Sequence, residues 1–146
     1  MKTFSIRPTL TLKGRTFKGL RGFSGKPFHP PLTDIPIGAY VLVAGMDVVS
    51  FVGGTSHGWA GDLWRAGAWV MAAGLVASLL AAFTGLIDAR SSSEAGTQAR
   101  RTINTHATIM IVVTVLAALD VATRIAGYHD HGATPVLTMV LSVVVA

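Results

Sequence analysis

The sequence predicts an all-α integral membrane protein: a four-helix bundle preceded by an extended basic N-terminal arm. Composition gives the first evidence, because 51% of the residues are apolar and only 13% are charged, which is typical of membrane proteins. The second observation is that the apolar residues form three runs of about 20 residues, the length a helix needs to cross a hydrocarbon core about 30 Å thick. The third is that most charged residues lie between these runs.

The three runs are residues 35–54, 66–87 and 103–126, and each predicts one membrane span. A fourth apolar run, residues 134–146, has only 13 residues. At about 1.5 Å of rise per residue it covers about two-thirds of the hydrocarbon thickness. We therefore expect a fourth helix that is truncated at the C-terminus, in a natural chain that continues further. Residues 1–28 are predicted to form the arm and residues 29–146 the bundle.

The basic residues predict the orientation of the spans. Residues 1–34 contain seven Lys and Arg residues against the single Asp34, and the loop between the second and third runs contains three more arginines. Because Lys and Arg are enriched in cytoplasmic loops, we expect a multi-pass membrane protein with a cytoplasmic N-terminus. Two interpretations of the arm stay open. It lies on anionic lipid, or it becomes ordered on a larger complex.

Several functional classes find no support in the sequence. No nucleic-acid-binding motif accompanies the net charge of +5, so we expect no nucleic-acid partner. The absence of cysteine excludes disulfides, covalently attached haem and cysteine-ligated iron–sulfur clusters within this segment. No nucleophile elbow, phosphate-binding loop or dinucleotide fingerprint is present. We therefore expect that the protein is not an enzyme.

Each predicted span has one face of residues spaced three or four apart, which places them on one side of a helix. Small residues on such a face let helix backbones approach closely in lipid, so the faces predict the buried centre of a bundle. On the first span, Pro36 is expected in the first turn of a helix capped by Thr33. The three faces are Pro36, Tyr40, Val43, Asp47 and Ser50; Gly67, Gly74, Ser78, Ala81, Gly85 and Asp88; and His106, Met110, Val113, Ala117, Asp120 and Arg124.

The predicted topology sorts the polar residues into two layers. Asp47 and Asp120 lie about 18 to 24 Å from the cytoplasmic helix ends, at about 1.5 Å per residue. Arg124 follows Asp120 by four residues and can pair with both aspartates. A structural latch and proton or ion handling are both open interpretations of these deep charges. The cytoplasmic layer comprises His29, Asp34, Asp88, Arg101, Asn104 and His106.

His29 and His106 are candidate axial ligands of a b-type haem. Neutral imidazoles on different helices of a bundle can hold the iron from opposite faces. The alternative is a hydrogen-bonded clasp in which the two histidines share the Asp88 carboxylate at the helix ends. Apart from this haem alternative we expect no cofactor.

Two further groups of residues have simpler interpretations. His129 and His131 lie two residues apart in the last loop and favour a solvated loop over a metal site, because no further liganding helix accompanies them. Trp59, Trp64 and Trp69 are expected at the membrane–water interface, where tryptophan is enriched. The sequence therefore predicts no metal site.

The run His29-Pro30-Pro31-Leu32-Thr33-Asp34-Ile35-Pro36-Ile37-Gly38, with Asp47 in the first span, Gly85-x-x-Asp88 ending the second and His106 opening the third, resembles a known family. This is the family of predicted bacterial membrane proteins numbered twenty-two thirty-one among the domains of unknown function. The likeness covers about residues 27–146, and the His-Pro followed by Pro-Ile-Gly is its most specific part. Members have four spans, and some are joined to Rieske-type iron–sulfur domains, which implies proximity to membrane electron transfer. The basic arm and the short fourth run depart from the family pattern.

Two functions from different classes are therefore predicted. The first is a non-catalytic accessory or structural subunit of a larger bacterial respiratory or photosynthetic complex, contacting its partner through the arm and the helix faces. The second is a membrane electron-transfer protein that binds b-type haem through His29 and His106. An absorbance spectrum of the purified protein distinguishes the two.

Overall fold

The computed structural model describes residues 3–5, 20 and 28–146 of the chain. Within these residues there are four helices and no strand. The helices are α1 (His29–Gly53), α2 (Gly58–Ser92), α3 (Gln98–Gly127) and α4 (Val136–Val145). The first three are long and apolar enough to cross a membrane, and α4 is apolar but shorter. This confirms the predicted all-α membrane helical bundle.

The beginning of α1 differs from the prediction. The helix starts at His29, not after Thr33, and Pro30 and Pro31 occupy its first turn. Proline is tolerated there because the first turn's N–H groups have no partner within the helix. The Thr33 hydroxyl donates to the carbonyl of Pro30 at 2.6 Å and does not cap the helix. Pro36 consequently lies inside α1, and the prediction that Thr33 caps the helix is wrong.

The four helices pack in a ring in which each contacts two neighbours. Among the described residues, the pairs in contact are α1 with α2, α2 with α3, α3 with α4, and α4 with α1. Helices α1 and α3 are therefore diagonal to each other, as are α2 and α4. A small apolar core lies between them, formed by Tyr40, Val43, Met71, Ala117 and Val145.

Helices α1 and α2 approach each other closely at Gly74. A Cβ atom on Gly74 would lie 2.9 Å from Ala39 Cβ and 2.9 Å from Tyr40 Cε1. One turn further along α2, the Tyr40 hydroxyl and Ser78 Oγ form a buried hydrogen bond of 2.7 Å. Small residues at this contact let the two backbones come together without leaving a polar group unpaired.

The predicted faces agree with the burial of α1 and α2. All five predicted residues of the α1 face are buried. On α2, Gly85 is half-buried and the other residues of the predicted face are buried. The third face is buried only in its second half, from Ala117 onward, whereas His106 is exposed.

The length of α4 explains why the face of α3 is covered only in part. Helix α4 has ten residues, or about 15 Å at 1.5 Å per residue. It starts beside the end of α3 and runs back along it, so it reaches the level of Ala117 but not that of His106, which lies about 20 Å from Asp120 along α3. The prediction that His106 shares the buried face is therefore wrong.

Candidate functional site

The most deeply buried polar group is an ion cluster of Asp47, Asp120 and Arg124. Arg124 Nη1 donates to Asp47 Oδ1 at 3.3 Å, and Nη2 donates to Asp47 Oδ2. Toward its own helix, Arg124 Nε donates to Asp120 Oδ1 at 3.2 Å and Nη2 donates to Asp120 Oδ2 at 3.2 Å. The guanidinium therefore holds each carboxylate by two parallel hydrogen bonds. The three side chains are at most 1% exposed.

The ion cluster joins two helices that are not neighbours in the ring. Asp47 lies on α1, and Asp120 and Arg124 lie on α3, the helix diagonal to it. The long Arg124 side chain crosses the centre of the ring and connects them. The predicted pairing of Arg124 with both aspartates is thus present in the structure.

Hydroxyl groups extend the ion cluster to the remaining elements. Thr134, just before α4, donates through Oγ1 to Asp47 Oδ1 at 3.1 Å. Its backbone N–H donates to Ser50 Oγ at 2.9 Å, and the Ser50 hydroxyl donates to the Ala60 carbonyl on α2 at 2.7 Å. One continuous hydrogen-bond network therefore links α1, α2, α3 and the segment leading into α4.

Trp64 covers the ion cluster, which sequence reasoning did not foresee. The Arg124 guanidinium carbon lies 5.2 Å from the centre of the Trp64 ring, a cation–π distance. The side chain is fully buried, whereas Trp59 and Trp69 are 47% and 71% exposed. The prediction that Trp64 anchors the membrane interface is therefore wrong. Its position three residues before Gly67 on the small-residue face was the available signal.

Gly67 provides the space for the Arg124 guanidinium. A Cβ atom at this position would lie 3.1 Å from Arg124 Nη1 and 3.5 Å from Asp47 Oδ1. Buried charges are costly unless they are paired and hydrogen-bonded. The glycine, the tryptophan face and the hydroxyls together give this arginine the contacts that burial requires.

A second polar group lies at the arm end of the bundle, where α1 and α3 begin and α2 ends. We call His29, Thr84 and Asp88 the arm-end layer. The Thr84 hydroxyl donates to the Ala81 carbonyl at 3.0 Å, so its oxygen can only accept from His29 Nδ1, 3.3 Å away. In this bond His29 therefore donates through Nδ1, and Nε2 is the ring nitrogen that lies outside it.

The His29 ring packs against α2 at Gly85. A Cβ atom there would lie 2.7 Å from His29 Cε1 and 3.0 Å from Nε2. Any larger residue at this position would displace the imidazole and break its bond to Thr84. Gly85 is therefore required by the histidine at least as much as by helix packing.

Asp88 binds the N-terminal arm. The backbone N–H of Leu20 donates to Asp88 Oδ1 at 2.7 Å, and the N–H of Phe28 donates to the Leu20 carbonyl at 3.1 Å. On α3, Asn104 Nδ2 donates to the Thr3 carbonyl at 3.1 Å. The described arm residues thus contact the bundle itself. The rest of the arm lies outside the described residues, and the hypothesis that the arm docks on a larger complex depends mainly on that part.

The cytoplasmic layer predicted from the sequence also included Asp34, Arg101 and His106. Asp34 and His106 are both exposed. Arg101 is half-buried and bonds to Gln98 and to the Gly96 carbonyl.

The described residues contain no group of three or more His, Cys, Asp or Glu side chains that could hold a metal ion. His131, from the last loop, packs edge-on against Trp64 with ring centres 5.7 Å apart. His129 packs in the same way against Tyr128 at 5.0 Å. Both histidines make ring contacts at the end of the bundle opposite the arm.

Comparison with known proteins gives one match. The family model described as Predicted membrane protein (DUF2231) matches residues 25–146. None of the curated proteins and none of the solved structures in the comparison matches the chain. The family match extends over all four helices and begins four residues before α1. The chain therefore belongs to this family of predicted membrane proteins.

Proposed function

We propose that this chain is a non-catalytic accessory subunit of a larger bacterial electron-transfer complex, in the inner membrane with its N-terminus in the cytoplasm. The observation that carries the proposal is that the charged groups of the ion cluster are hydrogen-bonded to one another. Arg124 gives two bonds to each aspartate, and Asp47 also accepts from Thr134. Such a network suits a structural brace, because its polar atoms are already engaged within the chain.

The residues between the two polar layers support a structural role over transport. An ion or proton path needs polar groups through the thickness of the membrane. Between the ion cluster and the arm-end layer lie the buried side chains of Val43, Met71 and Ala117. Tyr40 and Ser78, the polar pair at this depth, are bonded to each other.

Helix α3 offers the surface for a partner. In the most apolar stretch of 18 residues in α3, only 17% is buried within the chain, compared with 33% in the corresponding stretch of α2. The uncovered side carries the β-branched residues Ile111, Val112 and Val115, each more than half exposed. A membrane helix of the partner would pack there with dispersion contacts, as helices do in lipid. The electron-transfer assignment rests on the family's association with Rieske-type domains.

Extraction in a mild detergent tests the accessory role. We expect the tagged chain to migrate with a larger complex on native gels, and Val112→Trp to release it. Leu79→Trp is the matched control, since Leu79 is an exposed residue of α2 with similar exposure. Migration of the wild-type chain alone under conditions that preserve other membrane complexes would contradict the proposal.

The orientation has its own test. A cysteine at Thr3 should be shielded in intact cells from a thiol reagent that does not cross membranes, and a cysteine at Gly132 should be labelled. The expectation follows from the positive charge of the arm and of the loop between α2 and α3. The reverse labelling pattern would invert the topology.

The alternative function is b-type haem binding through His29 and His106, and one observation favours it. In its bond to Thr84, His29 donates through Nδ1 and leaves Nε2 outside the bond, which is the arrangement common among metal-ligating histidines. Haem would supply one-electron transfer. A Soret band and a reduced-state α band, both lost in His29→Ala, would establish this function. A purified protein without visible absorption would contradict it.

A further inference from the structure

Three arginines flank the turn between α2 and α3: Arg90 lies near the end of α2, and Arg100 and Arg101 lie in the first turn of α3. In the described residues, none of Arg90, Arg100 and Arg101 has a carboxylate oxygen within 4 Å, since the only ion pairs are those of Arg65 and Arg124. Glu94, the acidic residue of the turn, is exposed. This part of the surface therefore carries uncompensated positive charge.

Arg100 is held in a fixed orientation. Its Nη1 donates to the Ala89 carbonyl at 2.7 Å and to Ser93 Oγ at 3.1 Å. Ala89 is in the last turn of α2, where carbonyl groups lack a partner within the helix. The arginine thus caps α2 and is itself positioned by it.

The other edge of the half-buried Arg100 guanidinium is formed by its Nε and Nη2 groups. Within the part of the chain that the structure describes, its Nε and Nη2 groups make no hydrogen bond. These two N–H groups point the same way and form the fork that binds a phosphate or carboxylate through two parallel bonds. Arg90, which directly follows the residue that anchors Arg100, is exposed.

We propose that Arg100, together with Arg90 at the adjacent end of α2, binds the phosphate of an anionic membrane phospholipid. The depth of the site favours a lipid over a soluble phosphate. The apolar helix α2 ends at Ser92 and α3 begins at Gln98, so both arginines lie at the ends of spans, where the headgroups are. Among the described residues, the side chain of the adjacent Arg101 bonds to neutral oxygens of Gln98 and Gly96, so its charge adds to the attraction.

Lipid retention measures this binding. The full chain is reconstituted in nanodiscs that contain phosphatidylglycerol and phosphatidylcholine, and the lipids that stay bound are counted by native mass spectrometry. We expect the wild type to retain phosphatidylglycerol in preference to phosphatidylcholine. Arg100→Gln should lower the preference about five-fold or more, from the known contribution of one basic residue at a membrane surface.

Three variants separate the causes. Arg65→Gln is the matched control, because Arg65 lies at the other end of the bundle and pairs with Asp62; it should leave the preference unchanged. Arg100→Lys keeps the charge but lacks the fork, so it should bind more weakly than the wild type. Arg90→Gln should also lower the preference, and no described contact depends on that side chain, so this variant tests the site without disturbing the turn.

The outcomes are distinct. A lower preference for phosphatidylglycerol in Arg100→Gln and Arg90→Gln, with an unchanged preference in Arg65→Gln, supports the site. Equal retention in all variants, or an equal loss in Arg65→Gln, overturns it. Displacement of phosphatidylglycerol by inorganic phosphate at the same concentration would show a site for soluble phosphate and would overturn the lipid assignment.

Discussion

The two ends of this bundle use polar residues in opposite ways. At the far end, the ion cluster pairs charged side chains with one another, and its members are at most 1% exposed. At the arm end, His29 is bonded to a neutral hydroxyl and Asp88 to a backbone N–H of the arm. The far end is thus closed by internal contacts between helices, whereas the arm end is completed by a segment that is not part of the bundle.

This difference indicates where the molecule is fixed and where it can adapt. Breaking the ion cluster leaves a buried charge without a partner, which is among the costliest changes in a protein. The described arm-end contacts of His29 and Asp88 are part-buried hydrogen bonds, and a typical hydrogen bond contributes about 1 kcal/mol net. We therefore expect stability to depend on the far end, and regulation or partner contact to act at the arm end.

The largest expected effect comes from Arg124→Met. The substitution keeps the side-chain volume but leaves two buried carboxylates unpaired, so the unfolding free energy should fall by about 3–5 kcal/mol. The control is Arg65→Met, whose pair with Asp62 is exposed to solvent and should change stability by about 1 kcal/mol or less. Unfolding in mixed micelles, followed by far-ultraviolet circular dichroism, measures both. Equal effects of the two substitutions would show that burial of Arg124 does not matter.

The next largest effect is expected at the contact between α1 and α2. A side chain at Gly74 would meet Ala39 and Tyr40, whereas a Cβ at Gly45 has nothing within 4 Å. Gly74→Leu should destabilise the bundle by at least about 1–3 kcal/mol, the usual cost of overpacking. Gly45→Leu should be neutral or slightly stabilising, because leucine is the better helix former. The same unfolding assay measures both variants. Equal unfolding free energies for Gly74→Leu and Gly45→Leu would contradict the close contact.

A smaller effect is expected for Thr134→Val, which removes the hydroxyl that donates to Asp47. A buried charged acceptor that loses one donor should cost about 1–3 kcal/mol. Thr114→Val is the control, because the Thr114 hydroxyl only bonds back to Met110 of its own helix. If the thermal midpoints of the two variants agree, Thr134 does not belong to the ion cluster.

The sequence predicts the helices and two of the three faces because both depend on periodicity. Spacings of three and four identified every buried residue of the α1 face, and they put Asp47, Asp120 and Arg124 at compatible depths. Periodicity carries no information on how far a neighbouring helix extends. For this reason the exposure of His106, beyond the reach of α4, could not be predicted.

Other features depend on contacts between residues far apart in the chain. Thr134 and Asp47 are 87 residues apart, and Leu20 and Asp88 are 68 apart. Neither hydroxyls nor backbone N–H groups have a sequence pattern that reveals such partners. Trp64, in contrast, could have been predicted to be buried, because its spacing from Gly67 places it on the buried face of α2. The prediction instead followed the general preference of tryptophan for membrane interfaces.

The smallest expected effect is at Asp88. Asparagine can still accept from the Leu20 N–H, whereas leucine cannot. Asp88→Leu should therefore raise the hydrogen-exchange rate of the Leu20 amide, and Asp88→Asn should raise it less. Neither substitution should shift the thermal midpoint as much as Arg124→Met does. Identical Leu20 exchange in wild type and Asp88→Leu would mean that this bond does not hold the arm.

The central claim is that the pair of Asp47 and Arg124 braces the diagonal helices α1 and α3. A double-mutant cycle with Asp47→Asn and Arg124→Met tests it most directly, because the cycle isolates the energy of the pair from the other effects of each substitution. We expect a coupling energy of about 1–3 kcal/mol, compared with about 0.2–1 kcal/mol for the exposed pair of Asp62 and Arg65. A coupling energy for Asp47 and Arg124 that does not exceed that of the exposed pair would contradict the account.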